Sequence, residues 1–528
     1  MKQYKFISFA IVSLALLFSS SCIKNKDMVP LDPDEITSAT VFNNPEAYKQ
    51  FLAKIYAGYV LSGQEGPSGN ADLTGLDEGF STYLRQLWKA QELTTEEAVI
   101  AWNDGNLRDY HEQDWTSANE FVKTMYNRIF YQVTLANEFI RESADDKIAH
   151  LTASQQTEIK YYRAEARFLR AFSYWHAIDM FGNVPFVTEA DKVGAFLPKQ
   201  INRVDLFNYL ESELIAVSDE LKDPKSNEYG RVDKAAAWML LAKLYLNAEV
   251  YIGTPKYTEC LTYINKVISS GYTLDPSYAH MFLADNNTSP EIFFSFAVDG
   301  LHSQSWGGMT FLIHAQVGGT MSPAAFGIDG GWSGLRVTKT FVEKFSDITG
   351  NTDKRAMFYT SGQNLEINDV FKFTDGYAIT KFKNVTSTGA VGSHLTYPDT
   401  DYPVFRLADA YLMYAEAVLR GGTGGDAGTA LNYVNNLRQR AYGDASGNIT
   451  AQQLDLNFIL DERSRELYWE GHRRTDLIRF GKFSNTTYVW PWKGGVAAGV
   501  STDSKYDLFP IPSTDIAANT NLKQNSGY

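Results

Sequence analysis

Between residues 158 and 181 the chain reads EIKYYRAEARFLRAFSYWHAIDMF. Ile159, Tyr162, Ala166, Leu169, Phe172 and Trp175 recur at steps of three and four, which gathers them on one face of a helix. Gly182 and Pro185, just beyond, mark its end. A second helix is expected from Asp233, a suitable N-cap, through AAAWMLLAKLYLNAEVYI to Gly253. Three more are expected: Leu407 to Arg420, stopped by Gly421 and Gly422, about Thr429 to Tyr442, and Leu460 to Glu470. Ala166, Ala237, Ala242, Ala408 and Ala415 lie inside these segments. Residues that small let helices approach closely, as in stacked helical hairpins. No strict period of about 34 residues is present, so any repetition of such hairpins is degenerate.

From about Pro255 to Tyr402 the helical pattern weakens. Segments such as EIFFSFAV, GGMTFLIHA and GYAITKFKNV alternate or are rich in turn residues. The expected fold is therefore mainly α, with a large, irregular, partly β insertion at about 255–402. Long structured loops on a rigid frame are where binding residues usually sit.

The N-terminus reads as a targeting segment. Lys2 and Lys5 precede an apolar run from Ile7 to Phe18, and Ser19 to Ser21 lead into Cys22. The run is too short to span a bilayer. Small residues before a cysteine form the pattern of a bacterial lipoprotein signal, with Cys22 becoming the acylated N-terminus. Ser19 stands where many such signals carry leucine. The expected organisation is a signal at 1–21, a polar tether at 22–40 and one domain over 41–528. Acyl chains contribute about 0.8 kcal/mol per buried CH₂, enough for stable anchoring when two or more are present. The other cysteine is Cys260, so the mature chain has no intramolecular disulfide framework.

Charge and composition narrow the functional classes. The formal net charge of -14 over 528 residues argues against a nucleic-acid partner, which needs clustered Lys and Arg. The 32 Phe, 31 Tyr and 10 Trp suit either a large core or a flat-ring recognition surface. None of the eight histidines (His111, His150, His176, His280, His302, His314, His394 and His472) has zinc-site spacing. Neither a G-x-S-x-G elbow nor a P-loop occurs. Gly422-Thr-Gly424-Gly-Asp-Ala427 matches a loose dinucleotide fingerprint but follows a helix, so it reads as an inter-helix loop. Asp461-Glu-Arg-Ser-Arg-Glu466 reads as an exposed helix face, with Asp461 and Glu462 reaching Arg465. A glycosidase pair of carboxylates leaves no linear signature, so that class stays open.

Four blocks together resemble one family. EARFLRAFSYWHAIDMFGNVPFV, RLADAYLMYAEAVLR, ILDERSRELYWEGHRRTDLIRFGKF and FPIPSTDIAANTNLKQNSGY are similar to the signature segments of the SusD/RagB family, in order from residue 165 to the C-terminus. The resemblance implies a tetratricopeptide-like helical scaffold and a lipid-anchored outer-membrane binding protein without catalysis. It also implies a SusC-like TonB-dependent transporter as partner.

Further stretches, GLDEGFSTYLRQLW, VIAWNDGN, SWGGMTFLIHA, DGGWSGLRVTKTFVEKF and HLTYPDTDYPVFRLADAYL, look like those of the family's starch binders. By that resemblance Trp102, Trp306 and Trp332 form an aromatic arc, and Asp77, Arg85 and Asn106 bond sugar hydroxyls. The arc would follow the coil of an α-glucan, because one face of each glucose is rich in C–H and packs on a flat ring. Gly-rich flanks, Gly307 and Gly308 beside Trp306 and Gly330, Gly331 and Gly334 around Trp332, favour surface positions. Two departures stand out: Gly105 occupies the place of an amide residue, with Asn106 one position later, and Ile100 replaces a further tryptophan. The same resemblance implies calcium held by Asp399 and Asp401 with Asn287, although no cofactor is required for binding. Alternatives from other classes are a family receptor for another glycan or for peptides, and a surface glycosidase.

Overall fold

The computed structural model describes residues 41–528, and Tyr48–Tyr528 form one compact unit. The expected signal, the tether and Cys22 lie outside the described residues. The elements that matter for the site are, in chain order, α1 (Tyr83–Glu92), β1 (Val99–Ile100), α2 (Glu120–Glu142), α3 (Ala153–Met180), α4 (Arg203–Glu220), α5 (Lys234–Leu246), α6 (Tyr257–Ile268), β2 (Ile292–Phe296), α7 (Gly308–Ala315), β3 (Leu335–Arg336), β4 (Tyr402–Arg406), α8 (Leu407–Leu419), α9 (Ala427–Tyr442) and α10 (Leu456–Leu467).

Successive helices pack against one another from α2 through α3, α4, α5 and α6 to α8 and α9, with α10 against α8. This is a mainly α, tetratricopeptide-like scaffold. Side chains of local sequence start the helices. Asn119 accepts from the amides of Phe121 and Val122, both at 3.0 Å, and Thr152 and Gln155 bond reciprocally in a capping box on α3. Asp233, Asp426 and Asp455 cap α5, α9 and α10. The five alanines singled out above are all fully buried, as close helix packing requires.

Three expectations need correction. The segment GGMTFLIHA is the helix α7, not an alternating strand; its apolar residues are buried all round, so no one-sided period is visible. The irregular region begins after α6, which the expected boundary at Pro255 had included. It does carry short two-stranded ribbons: β2 pairs antiparallel with β4, and β1 with β3.

The third correction concerns residues 461–466. They are not a solvated face. Glu462, Arg463, Ser464 and Glu466 are buried, and Asp461 pairs with Lys344 at 2.7 Å instead of with Arg465; the contact of Glu462 with Arg465 is present at 2.7 Å. Glu466 meets Arg406 at 2.7 Å, Arg355 at 3.2 Å and Arg440. Arg406 also reaches Glu470 at 2.6 Å and Glu291 at 2.9 Å, while Arg355 reaches Glu462 at 2.8 Å. Burial by itself would raise the Glu466 carboxyl, but Arg440, Arg406 and Arg355 outweigh it and hold it down to about 2. These charges join α9 and α10 to β4 through the interior.

Candidate functional site

The ribbon β1–β3 brings two distant parts of the chain together. Val99 faces Arg336 and Ile100 faces Leu335, and the amide of Ala101 donates to Gly334 O at 2.9 Å. Trp102 therefore emerges beside the loop that carries Trp332. That loop is in turn bonded to the end of α7: the amides of Trp332, Ser333 and Gly334 donate to His314, Val317 and Ala315 carbonyls at 2.8, 2.9 and 2.8 Å. Trp306 sits just before α7 and enters from its other end.

The three indoles form one continuous row. Trp102 and Trp332 have centroids 6.3 Å apart with planes tilted by 43°, and Trp332 and Trp306 are 6.4 Å apart and tilted by 45°. All three are half-buried. Two have an edge fixed, Trp102 Nε1 donating to Trp332 O at 3.1 Å and Trp306 Nε1 to Ser68 Oγ at 3.2 Å, while Trp332 has one face backed by His314, stacked at 4.8 Å. Phe311 closes the space beneath Trp102, edge-on at 5.9 Å. Neighbouring planes tilted by more than 40° make a surface unlike the flat platform that coplanar rings would make.

Gly334 is part of this construction. A Cβ there would lie 2.8 Å from two carbons of the Trp102 indole. Gly334→Ala is expected to push that ring out of the row, lowering carbohydrate affinity several-fold while leaving the unfolding midpoint nearly unchanged. Calorimetric titration beside thermal denaturation checks both halves.

The polar residues named from sequence fall into three situations. Arg85, on α1, is buried, with its guanidinium 4.2 Å from both the Phe80 and Phe311 rings and 5.8 Å from Trp102. Nη1 donates to Gly79 O at 2.7 Å, and Nε has no protein partner. Burial pulls its pKa down to about 9, against the support of Asp104 and Asp77, so it is still cationic at neutral pH. Asp77 is exposed and anchors its own turn by accepting from the Gly79 amide at 2.8 Å. Asn106 is only half available. Its Oδ1 accepts from the Glu120 amide at 3.2 Å, leaving its NH₂ as the group it can offer. Ile100 is fully buried within β1 and supplies nothing to the row.

Tyr397 was not anticipated. Its ring lies 5.3 Å from Trp306, supporting the far end of the row. His314 and Ser68 were also missed as supports; Trp–Gly–Gly before a helix signals an exposed ring but says nothing of what backs it.

Asp399, Asp401 and Asn287 share the wall of one cavity of about 550 Å³. Their carboxylates are nevertheless taken up by the protein. Asp399 accepts from the Gly300 amide at 2.8 Å, the Ser393 amide at 2.5 Å and the Ser393 hydroxyl at 2.7 Å. Asp401 accepts from the Val298 amide at 2.8 Å and from the Tyr229 hydroxyl, and burial raises it to about 6. Calcium takes roughly six to eight oxygen ligands. Two carboxylates turned toward N–H and O–H donors, with an amide as third member, do not fit a resident calcium ion; they clamp the 298–303 loop to the 393–401 loop. Among the described residues, no group of three or more His, Cys, Asp or Glu is placed to hold a metal ion, and no helix is long and apolar enough to cross a membrane.

Comparison with known proteins gives a consistent result. Residues 336–528 match the model of the SusD family. The starch-binding protein SusD of Bacteroides thetaiotaomicron is 34% identical, with 98% of each chain covered. SusD-like protein P2 of Formosa agariphila is 25% identical over 78% of this chain and 81% of its own. Among solved structures, a SusD homolog of Bacteroides thetaiotaomicron superposes with a TM-score of 0.71 at 21% identity, covering 93% of this chain and 98% of its own. Surface glycan-binding protein A of the same species, in complex with laminarihexaose, gives 0.68 at 22% identity, covering 91% and 99%. Identity above 30% across nearly the whole length of both chains, on a shared helical fold, decides the matter: the chain belongs to the SusD family.

Proposed function

We propose that the protein captures starch or a related α-glucan at the cell surface, without catalysis, and hands oligosaccharides to a TonB-dependent outer-membrane transporter. The observation that carries the ligand class is the row of mutually tilted rings of Trp102, Trp332 and Trp306. An α-1,4-linked glucan coils and turns the C–H-rich faces of successive glucoses along a curve. Rings tilted against one another suit that curve, whereas an extended ribbon of β-1,4-linked sugars touches one ring and leaves the next. Arg85, Asp77 and the NH₂ of Asn106 are the polar groups assigned to sugar hydroxyls. The relative named for starch binding supports the same ligand class.

Anchoring through acylated Cys22 completes this function, since many tethered copies gain avidity from weak single sites. Cys22→Ala should release the protein from membranes, and retention of that variant would refute the anchor. Affinity at one site is expected between about micromolar and millimolar, or roughly -8 to -4 kcal/mol.

Calorimetric titration with maltoheptaose, laminarihexaose and a xylan oligosaccharide tests the ligand class. Maltoheptaose should bind and the xylan oligosaccharide should not. Laminarihexaose is included because a structural relative was solved with it, and a β-1,3-glucan also curves. Tighter binding of laminarihexaose than of maltoheptaose would replace starch with that ligand. New reducing ends during incubation with amylose would overturn the assignment as a non-catalytic binder.

A further inference from the structure

We infer that His314 is the positioning residue of the aromatic row: one imidazole backs the middle ring and ties the Trp332 loop to the Tyr397 loop through the Gly330 and Thr396 carbonyls. This rests on the proposed glucan site and goes beyond it.

His314 lies on α7 and is 1% exposed. Its ring stacks on Trp332 at 4.8 Å with planes 27° apart. Nδ1 is 2.6 Å from Gly330 O and Nε2 is 2.9 Å from Thr396 O. The two loops touch independently where the Asp329 amide donates to Leu395 O at 3.2 Å and Thr396 Oγ1 donates to Asp329. Trp306 precedes α7, Trp332 rides on the first loop and Tyr397 on the second. One side chain thus spans all three segments that carry rings of the row.

The chemistry of that contact is unbalanced. A neutral imidazole has one N–H and one lone pair, yet both nitrogens here face carbonyl oxygens. Only one of the two carbonyls receives a hydrogen bond. Protonation adds the second donor, and it also places a cation against the indole face. Burial draws the His314 pKa below its ordinary value, while the Gly330 and Thr396 carbonyls and Asp329 pull the other way. The tie is therefore single in the neutral imidazole, and because burial outweighs the two carbonyls and Asp329, charging the ring in acid works against the packed arrangement. Asp329, 3.9 Å from Nδ1, is the charged group facing it from the first loop. The second loop presents backbone, with His394 turned so that Nδ1 accepts the Thr396 and Tyr397 amides at 3.0 and 3.2 Å.

Two readouts test this on the intact protein from pH 7.5 to 4.5. Without ligand, an imidazolium stacked on an indole quenches its fluorescence. Wild type should show an acid quenching step that is absent from both Trp332→Phe and His314→Gln; the first variant removes the signal of Trp332 from that of Trp175, which neighbours His176. With maltoheptaose, wild-type affinity should weaken by about three- to tenfold on acidification, because the packed site disfavours the imidazolium and charging it loosens the row, while His314→Gln stays flat. Gln can keep one donor to a carbonyl, so at pH 7.5 it should bind within about threefold of wild type, and His314→Leu more weakly still. Equal affinity of His314→Leu and wild type, or a fluorescence step that survives in His314→Gln, overturns the inference. Failure of maltoheptaose to bind at any pH removes only the glucan assignment, because the ligand-free titration still decides the role of His314.

Discussion

Trp332→Ala is expected to lower maltoheptaose affinity by at least thirtyfold, about 2 kcal/mol or more, with far-UV circular dichroism unchanged. The size follows from its place. Trp332 is the only one of the three indoles within ring contact of both others, at 6.3 Å from Trp102 and 6.4 Å from Trp306. Its removal takes away one stacking face and also splits the row into two separated rings, neither of which can hold the curve of a coiled chain. The fold should tolerate the change, because the ring is half-buried on a Gly-rich loop whose attachment to α7 is made by backbone amides. Trp306→Ala, at the end of the row, should cost less. Calorimetry on both variants gives the order, and equal losses would mean that the rings act separately.

Glu466→Ala should be the most damaging single change to stability among those considered, by about 3–5 kcal/mol. Three buried guanidinium groups, those of Arg355, Arg406 and Arg440, converge on this carboxylate, and alanine leaves them partly uncompensated where water does not reach. Asp461→Ala, five residues earlier on the same helix, removes only a half-exposed partner of Lys344 and should cost under about 1 kcal/mol. Urea unfolding of the two variants side by side is the measurement; similar midpoints would contradict the buried network. The pH dependence follows with its sign. Glu466 is held at about 2, below its usual 4.5, so its stabilisation is present above about 4.5 and is lost as pH falls toward 2.

How much of this was legible beforehand depends on what each residue's neighbours are. Helices with a one-sided apolar stripe could be read directly, and α8 and α9 begin and end close to where the glycines and periodicity placed them. By contrast, α3 starts at Ala153, before the expected Glu158, and α5 stops at Leu246, with a separate short helix, Ala248–Ile252, before Gly253. In α2 the stripe Phe121, Met125, Ile129, Val133, Ala136 and Ile140 is equally regular and was available to the same test. Helix α7 was not, because an element buried on every side has no polar face to reveal its period. The charged run at 461–466 misled for a related reason. Spacing along one helix shows which charges can meet within it, but Arg355, Arg406 and Arg440 arrive from elsewhere in the chain.

The three indoles were found through family resemblance and flanking glycines. Their order, with Trp332 between Trp102 and Trp306, was not readable, since it is set by the pairing of β1 with β3 and by backbone bonds from the Trp332 loop to α7. Tyr397, Ser68 and His314 escaped notice because a residue that supports a ring carries no pattern of its own. Asn106 shows the reverse: its type suited a sugar contact, but half of its amide is spent on the start of α2.

A crystal structure of the protein with maltoheptaose tests the central claim most directly. The account predicts a curved chain of glucoses whose faces lie on Trp102, Trp332 and Trp306 in succession, with Arg85 bonded to a sugar hydroxyl. A sugar chain bound elsewhere on the surface, with the three indoles still facing solvent, would contradict it.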